Sequence, residues 1–182
     1  MSKVEITGAQ HRVRFKRWQN LLPPQTRFLC LSVDNRLIPQ FEMQGFCRVD
    51  VSLRQADWPV RGSEIRLERA REEIIDSVSF SFTKFKSPRV QVHFSRRELT
   101  PPHTFLRSAS LVLRRSQYYH FWGKPWLLPT RFWSERATSR TVDKLEARIE
   151  QLLRFLESGD IGPSISRQDI KTRHATDTGK AT

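Results

Sequence analysis

The chain of 182 residues contains only two cysteines, Cys30 and Cys47. Two thiols cannot build a disulfide framework, and a four-ligand zinc site would need further ligands that no nearby motif supplies. Both lie in apolar, strand-like surroundings, which favours a pair of buried free thiols in a reducing compartment. Long apolar runs are missing too. None approaches the roughly 20 residues of a membrane-spanning helix, and no apolar leader opens the chain. No Asn-x-Ser/Thr sequon occurs. The expectation is a soluble protein of the cell interior, with peripheral membrane contact still allowed.

Glycine is sparse, and the seven glycines never cluster, so there is no Gly-rich loop to cradle a phosphate. The five histidines (His11, His93, His103, His120 and His174) are scattered. No two stand at the spacing that would place both on one helix face to hold a metal. His93 alternates outward in an expected strand, where facing solvent is the default. The chain therefore offers no catalytic residues, no metal site and no cofactor signature, and a non-enzymatic binding or structural protein is expected.

Acids are the third shortage. The 19 Asp and Glu face 32 Lys and Arg, for a net charge of +13, and 24 of the basic residues are Arg. The guanidinium is a planar fork that grips phosphate bidentately and stacks on aromatic rings. Such a balance suits a phosphate-rich partner, either nucleic acid (alone or as ribonucleoprotein) or an anionic membrane surface. Residues 79–134 hold ten Lys or Arg and a single acid, Glu98, a local charge of +9 (ten minus one). Those ten, Lys84, Lys86, Arg89, Arg96, Arg97, Arg107, Arg114, Arg115, Lys124 and Arg131, form the expected nucleic-acid or lipid-binding set.

Within that region Arg107–Trp133 has no acid and carries seven of the chain's 19 aromatic residues. Three readings of it stay open. Tyr118, Tyr119, Phe121 and Trp122 offer flat faces to unpaired bases while Arg114, Arg115 and Lys124 track phosphates. Alternatively Trp122, Trp126, Leu127, Leu128, Phe132 and Trp133 enter a headgroup region over the same cations. In the third, the aromatics fill the protein's own core and Pro125 and Pro129 shape a long connection.

Periodicity suggests the elements. Residues 1–24 read as a basic arm or edge strand, stopped at Pro23-Pro24. Arg27–Val33 is a short apolar run that suits a buried strand. Phe46–Arg54 alternates cleanly, with Val49, Val51 and Leu53 on one side. Ser63 is a suitable N-cap, and Leu67, Ala70, Ile74 and Val78 recur at helical spacing, so a helix is expected over about 63–76. Val78, Phe80 and Phe82, then Val90, Val92 and Phe94, alternate as a hairpin, and Leu111–Leu113 forms a further strand. Val142, Leu145, Ile149, Leu152 and Leu156 make a heptad seam in a helix over about 142–158 that Gly159 stops. That seam serves the protein's own core or, as a second use, self-association into a homo-oligomer. From 159 to 182 no apolar period survives, and a flexible tail is expected. The fold class is thus α+β: one domain over 25–158, a mostly antiparallel sheet and two main helices.

Phe46, Val49, Val51, Leu53 and Arg54, followed by a loop with Pro59 and Arg61, a helix and further strands, resemble the central part of the rhabdovirus-type matrix proteins of negative-strand RNA viruses. The resemblance spans Gly45–Phe94. It implies a virion protein, also found in the host cytoplasm or nucleus, that self-associates, condenses the nucleocapsid and touches anionic membrane. The chain departs from that pattern in two places. Pro23-Pro24-Gln25-Thr26 and Pro101-Pro102-His103-Thr104 lack the tyrosine of a late-domain motif, and the N-terminus offers only Arg12, Arg14, Lys16 and Arg17 instead of a dense lysine tail. The alternative is an RNA-binding viral accessory protein, a silencing suppressor or movement protein, with no membrane role.

Overall fold

The computed structural model describes Asn20, Leu22 and residues 24–49, 63–82, 89–101, 104–112, 121–122 and 131–167. Their elements run α1 (Pro24–Arg36), α2 (Ile38–Met43), β1 (Cys47–Val49), β2 (Ser63–Arg71), β3 (Ile74–Phe82), β4 (Arg89–Glu98), β5 (Phe105–Leu111), β6 (Phe121–Trp122), α3 (Arg131–Glu146), α4 (Ile149–Ser158) and β7 (Ile165–Arg167). The strands form one antiparallel sheet in the order β1-β2-β3-β4-β5-β7, and β6 pairs with the start of β4. The chain is an α+β domain, as its patterning suggests.

The expected strand over Arg27–Val33 is instead the middle of α1. Pro24 opens that helix, where a missing N–H leaves no bond unmade. Thr26, the Leu29-Cys30 pair, Val33 and Leu37 then recur at steps of three and four and are all buried, the period of a helix face and not of a strand. α2 closes at Gly45, whose φ of 83° lets the chain turn back into β1. The strand expected over 46–54 is described only as far as Val49. Cys47 on this short edge strand is exposed, so only Cys30 meets the expectation of a buried thiol; neither is in a disulfide.

The expected helix over 63–76 is the second correction. Those residues form β2, the two-residue turn Glu72-Glu73 and the start of β3. Leu67, Ala70, Ile74 and Val78 fit helical spacing only by counting across that turn. The period that governs folding is two: Ile65 and Leu67 are buried between Glu64, Arg66 and Glu68, and pair opposite Phe80 and Val78. The β3–β4 hairpin follows its expected alternation, with Val78 opposite Phe94 and Phe80 opposite Val92.

Two successive rows on one sheet face are apolar: Ile65–Phe80–Val92, then Leu67–Val78–Phe94–Ala109. The helices cover them. Phe41 of α2 meets Phe80 edge-on at 5.8 Å, and Phe155 of α4 meets Phe94 edge-on at 5.3 Å. Each such buried side chain contributes about 1.5–3 kcal/mol over its exposed state.

The helix expected over 142–158 is two helices broken at Ala147-Arg148. Val142 and Leu145 on α3 and Ile149, Leu152 and Leu156 on α4 are 0–7 % exposed and belong to the central cluster. The seam therefore packs on the protein's own sheet, and its assignment to self-association is withdrawn: no part of it is left on the surface. Gly159 ends α4 at φ 83° and donates to the Phe155 carbonyl at 2.8 Å.

The tail expected from 159 is corrected in its first part. β7 pairs with β5 at Ala109–Leu111, Ile165 is 4 % exposed, and Val112 N–H donates to the Ser164 carbonyl at 2.8 Å. A single apolar residue on an open sheet edge is enough to anchor a segment that shows no apolar period. The remainder of the tail, and nearly all of the arm over 1–24, lie outside the described residues.

Candidate anion-binding surface

The third row of the covered face is where the core turns ionic. Arg69, Asp76, Arg96 and Arg107 stand opposite one another across β2, β3, β4 and β5. Asp76 is fully buried. It accepts from Arg69 Nη2 at 2.8 Å, from Arg96 Nε at 2.7 Å and from Arg96 Nη2 at 3.0 Å. Burial alone pushes its carboxyl up, but the hydrogen bonds from Arg96 and Arg69 outweigh that and hold it below the ordinary carboxylate range. The Arg69 side chain, 4 % exposed, also has its guanidinium carbon over the Phe46 ring, 4.4 Å from the centroid, where the ring quadrupole attracts a cation.

The same row seats the end of α4. Arg107 Nη1 donates to the carbonyls of Leu156 at 2.9 Å and Phe155 at 3.3 Å. These are among the last carbonyls of the helix, at the negative end of its dipole, and that of Phe155 also accepts the Gly159 N–H. Glu157 receives Arg71 at 3.4 Å. A Cβ on Gly159 would sit 3.2 Å from the Arg107 guanidinium carbon, so this glycine serves both the positive φ and the close approach of the arginine. On the opposite face Glu68 Oε1 gathers Arg66 at 2.7 Å, Ser77 at 3.1 Å and Arg97 at 3.2 Å.

Three of the expected binding cations, Arg96, Arg97 and Arg107, are thus engaged inside the protein. They are corrected from ligand-facing to structural, because each has a carboxylate or helix carbonyl within hydrogen-bond reach. Arg89 sits at the start of β4 opposite Trp122 of β6, and Arg131 opens α3. Lys84, Lys86, Arg114, Arg115 and Lys124, and the aromatics Tyr118, Tyr119 and Trp126, lie outside the described residues.

Other cations stand on the surface instead. Arg27 on α1, Arg140 and Lys144 on α3 and Arg167 on β7 are exposed, and none makes an ion pair among the described residues. Arg140 and Lys144 are one helical turn apart, a spacing readable from the sequence once α3 is extended back to Arg131. By contrast Arg36 of α1 is spent on α3. Its hydrogen bond to Asp143, at 2.8 Å, and a second to Glu146 raise its pKa.

One nucleophile-like pair stands among the described residues. His93 Nδ1 and Ser110 Oγ are 2.7 Å apart on the face away from the helices. Burial lowers the His93 pKa and so favours the neutral ring, and it outweighs Glu64, whose charge pulls the other way. A neutral imidazole on a hydroxyl is half of a catalytic pair, but Ser110 is 1 % exposed and has no room to meet a substrate. Nor does any group of three or more His, Cys, Asp or Glu among the described residues have the arrangement to hold a metal. No described helix is long and apolar enough to cross a membrane.

No family model, curated protein or solved structure matches the chain.

Proposed function

We propose that the protein is a non-enzymatic, basic structural protein that binds RNA or ribonucleoprotein through distributed phosphate contacts. The observation that carries this reading is the set of exposed cations without ion partners among the described residues, Arg27, Arg140, Lys144 and Arg167, on a chain of net charge +13. Exposed cations of this kind raise the local potential and reward a polyanion that releases its counterions.

The described apolar surface favours RNA over a bilayer. Of the five exposed large hydrophobics among the described residues, Leu99, Phe105 and Leu106 cluster at one end of the sheet near Glu72, Glu73 and Glu98. Pressing that end into anionic lipid would bring acids against acids. The bridge between nucleocapsid and membrane that a matrix-type protein makes would have to come from the aromatic residues of 107–133, and flotation with neutral and anionic vesicles tests it separately.

The test of the RNA reading is a titration of single-stranded RNA at several salt concentrations. Each phosphate neutralised should contribute about −0.7 to the slope of log K against log salt. A steep slope is expected. Absent binding, or binding indifferent to salt, would overturn the reading.

A further inference from the structure

The end of the sheet that carries the β2–β3 turn and the two sides of the β4–β5 connection differs in character from the rest of the described surface. Leu99, Phe105 and Leu106 are 43 %, 49 % and 43 % exposed. They are three of the five large hydrophobics exposed among the described residues, and they stand on a short stretch of sequence. Two backbone bonds tie its described residues together: Leu99 N–H donates to the Glu73 carbonyl at 2.7 Å, and Glu98 N–H to the Thr104 carbonyl at 3.0 Å. Beside it opens a cleft of about 630 Å³ lined by Glu72, Glu73, Ile74, Glu98, Thr100 and Leu106. Glu72 and Glu73 are exposed and make no ion pair among the described residues. A chain this basic thus presents one acidic, apolar end.

The opposite end carries two exposed cations without ion partners among the described residues, Arg140 and Lys144, while the acids between and beside them, Asp143 and Glu146, are taken up by Arg36. Arg148 joins Lys144 to the sheet: its Nη1 donates to the Lys144 carbonyl and its Nε to Ser164 Oγ at 2.9 Å, while the Ser164 carbonyl takes the N–H of Val112. Val112 follows the last residue of β5, whereas Phe105 of the tip is the first. At about 3.3 Å per strand residue, the two levels are about 20 Å apart. Arg140 lies one turn further along α3 and is exposed like Lys144. Tip and ridge are complementary in charge and cannot meet within one molecule.

We propose that the tip, Leu99, Phe105 and Leu106 with Glu72 and Glu73, docks on the Arg140–Lys144 ridge of a second copy of the chain, head to tail. Copies of net charge +13 repel one another, so an acidic end is what permits contact between them, and the exposed leucines and phenylalanine lose water in the process. Because the two patches differ, the contact is heterologous. It leaves a free tip and a free ridge on every assembly that has not closed into a ring, and so propagates instead of stopping at a dimer. The proposal goes beyond the RNA reading and does not depend on it.

Sedimentation velocity on the full chain tests it, over a range of protein concentrations at low ionic strength and again at about 1 M salt, where the Debye length falls to about 3 Å. Three species are compared: the unaltered chain, a tip variant (E72K with E73K) and a ridge variant (R140E with K144E). The unaltered chain should show an open-ended rise in mass with concentration that salt reverses. Each variant alone should associate at least tenfold more weakly. An equimolar mixture of the two should regain association, because reversed tip then meets reversed ridge and the native patches still meet each other.

A monomer at every concentration, a discrete dimer, variants that associate like the parent, or a mixture no better than its components would each overturn the proposal. Circular dichroism confirms that the variants fold, and the neutral pairs E72Q/E73Q and R140Q/K144Q replace any that do not. For those pairs, weakening without rescue on mixing is the expected result, and parental association the contrary one. Loss of RNA binding by the unaltered chain would count against the proposed function and leave this outcome untouched.

Discussion

Replacing Asp76 by Asn should remove much of the protein's stability. The carboxylate is fully buried and faces Arg69, at 4 % exposure, and Arg96, whose side chain is 12 % exposed. Asn keeps the shape and one acceptor oxygen but leaves two guanidinium groups beside an uncharged amide that brings two donors of its own. Breaking a buried ion pair from one side costs about 3–5 kcal/mol, a large part of the roughly 5–15 kcal/mol that holds a typical domain together. Urea unfolding followed by circular dichroism should show the midpoint falling by roughly 1–3 M with an unchanged slope.

The pH dependence gives an independent check of the same site. Asp76 has a depressed pKa when folded, so its contribution is fully present above its unfolded value of about 3.9 and is lost as pH falls through the folded value. The unaltered protein should therefore lose stability in that acid range more steeply than the Asn variant. Replacing all three residues together (Asp76→Leu, Arg69→Met and Arg96→Met) should recover most of the loss, since the penalty is that of unpaired charges. A loss of under about 1 kcal/mol for Asp76→Asn would refute the reasoning, because it would mean that water already screens the cluster as it does surface pairs.

Three other substitutions probe separate parts of the fold. Glu72 sits at φ 48°, where a side chain is strained; Glu72→Gly should raise stability by about 0.5–1 kcal/mol in thermal or urea melts. Leu152→Ala, at a position with no exposure, should cost about 2–5 kcal/mol without changing the RNA affinity of the folded fraction or its sedimentation behaviour, since the heptad seam is core. His93 has a lowered pKa, so it contributes stability that is present above about pH 6.5 and lost as pH falls through the folded value. His93→Gln should flatten the stability profile just below about pH 6.5, and an unaltered profile would show that burial does not hold the ring neutral.

How much of the fold was legible in the sequence depended on the range of the interaction. The β3–β4 hairpin was readable because Val78, Phe80 and Phe82 and their partners Val90, Val92 and Phe94 alternate over short spans. The inward seam of α3 and α4 and the stop at Gly159 were readable for the same reason. Two apolar runs misled. Leu29, Cys30 and Val33 look like a strand when cut off at Val33, and only the inclusion of Thr26 and Leu37 reveals the helical period. Leu67 and Ile74 fit a helix until a turn is placed between them.

The charges failed for a physical reason. Arg96, Arg97 and Arg107 look like any other members of a basic stretch, and their partners Glu68, Asp76 and the end of α4 stand 20 to about 50 residues away in sequence. Local net charge cannot show which cations are already neutralised. Apart from Arg140 and Lys144, one helical turn apart, the exposed cations Arg27 and Arg167 are spread along the chain and form no local cluster.

The division of arginines into structural and ligand-facing sets is tested most directly by the salt dependence of RNA binding in two variants. Removing Arg27, Arg140, Lys144 and Arg167 together, each to Ala, should weaken affinity at low salt and flatten the slope of log K against log salt by about 0.7 for each phosphate that is no longer neutralised. Arg97→Met, which breaks only the bond to Glu68, should leave the slope of the folded protein unchanged. The reverse pattern, an unchanged slope in the fourfold variant and a flattened one in Arg97→Met, would contradict the division and return the anion site to the sheet.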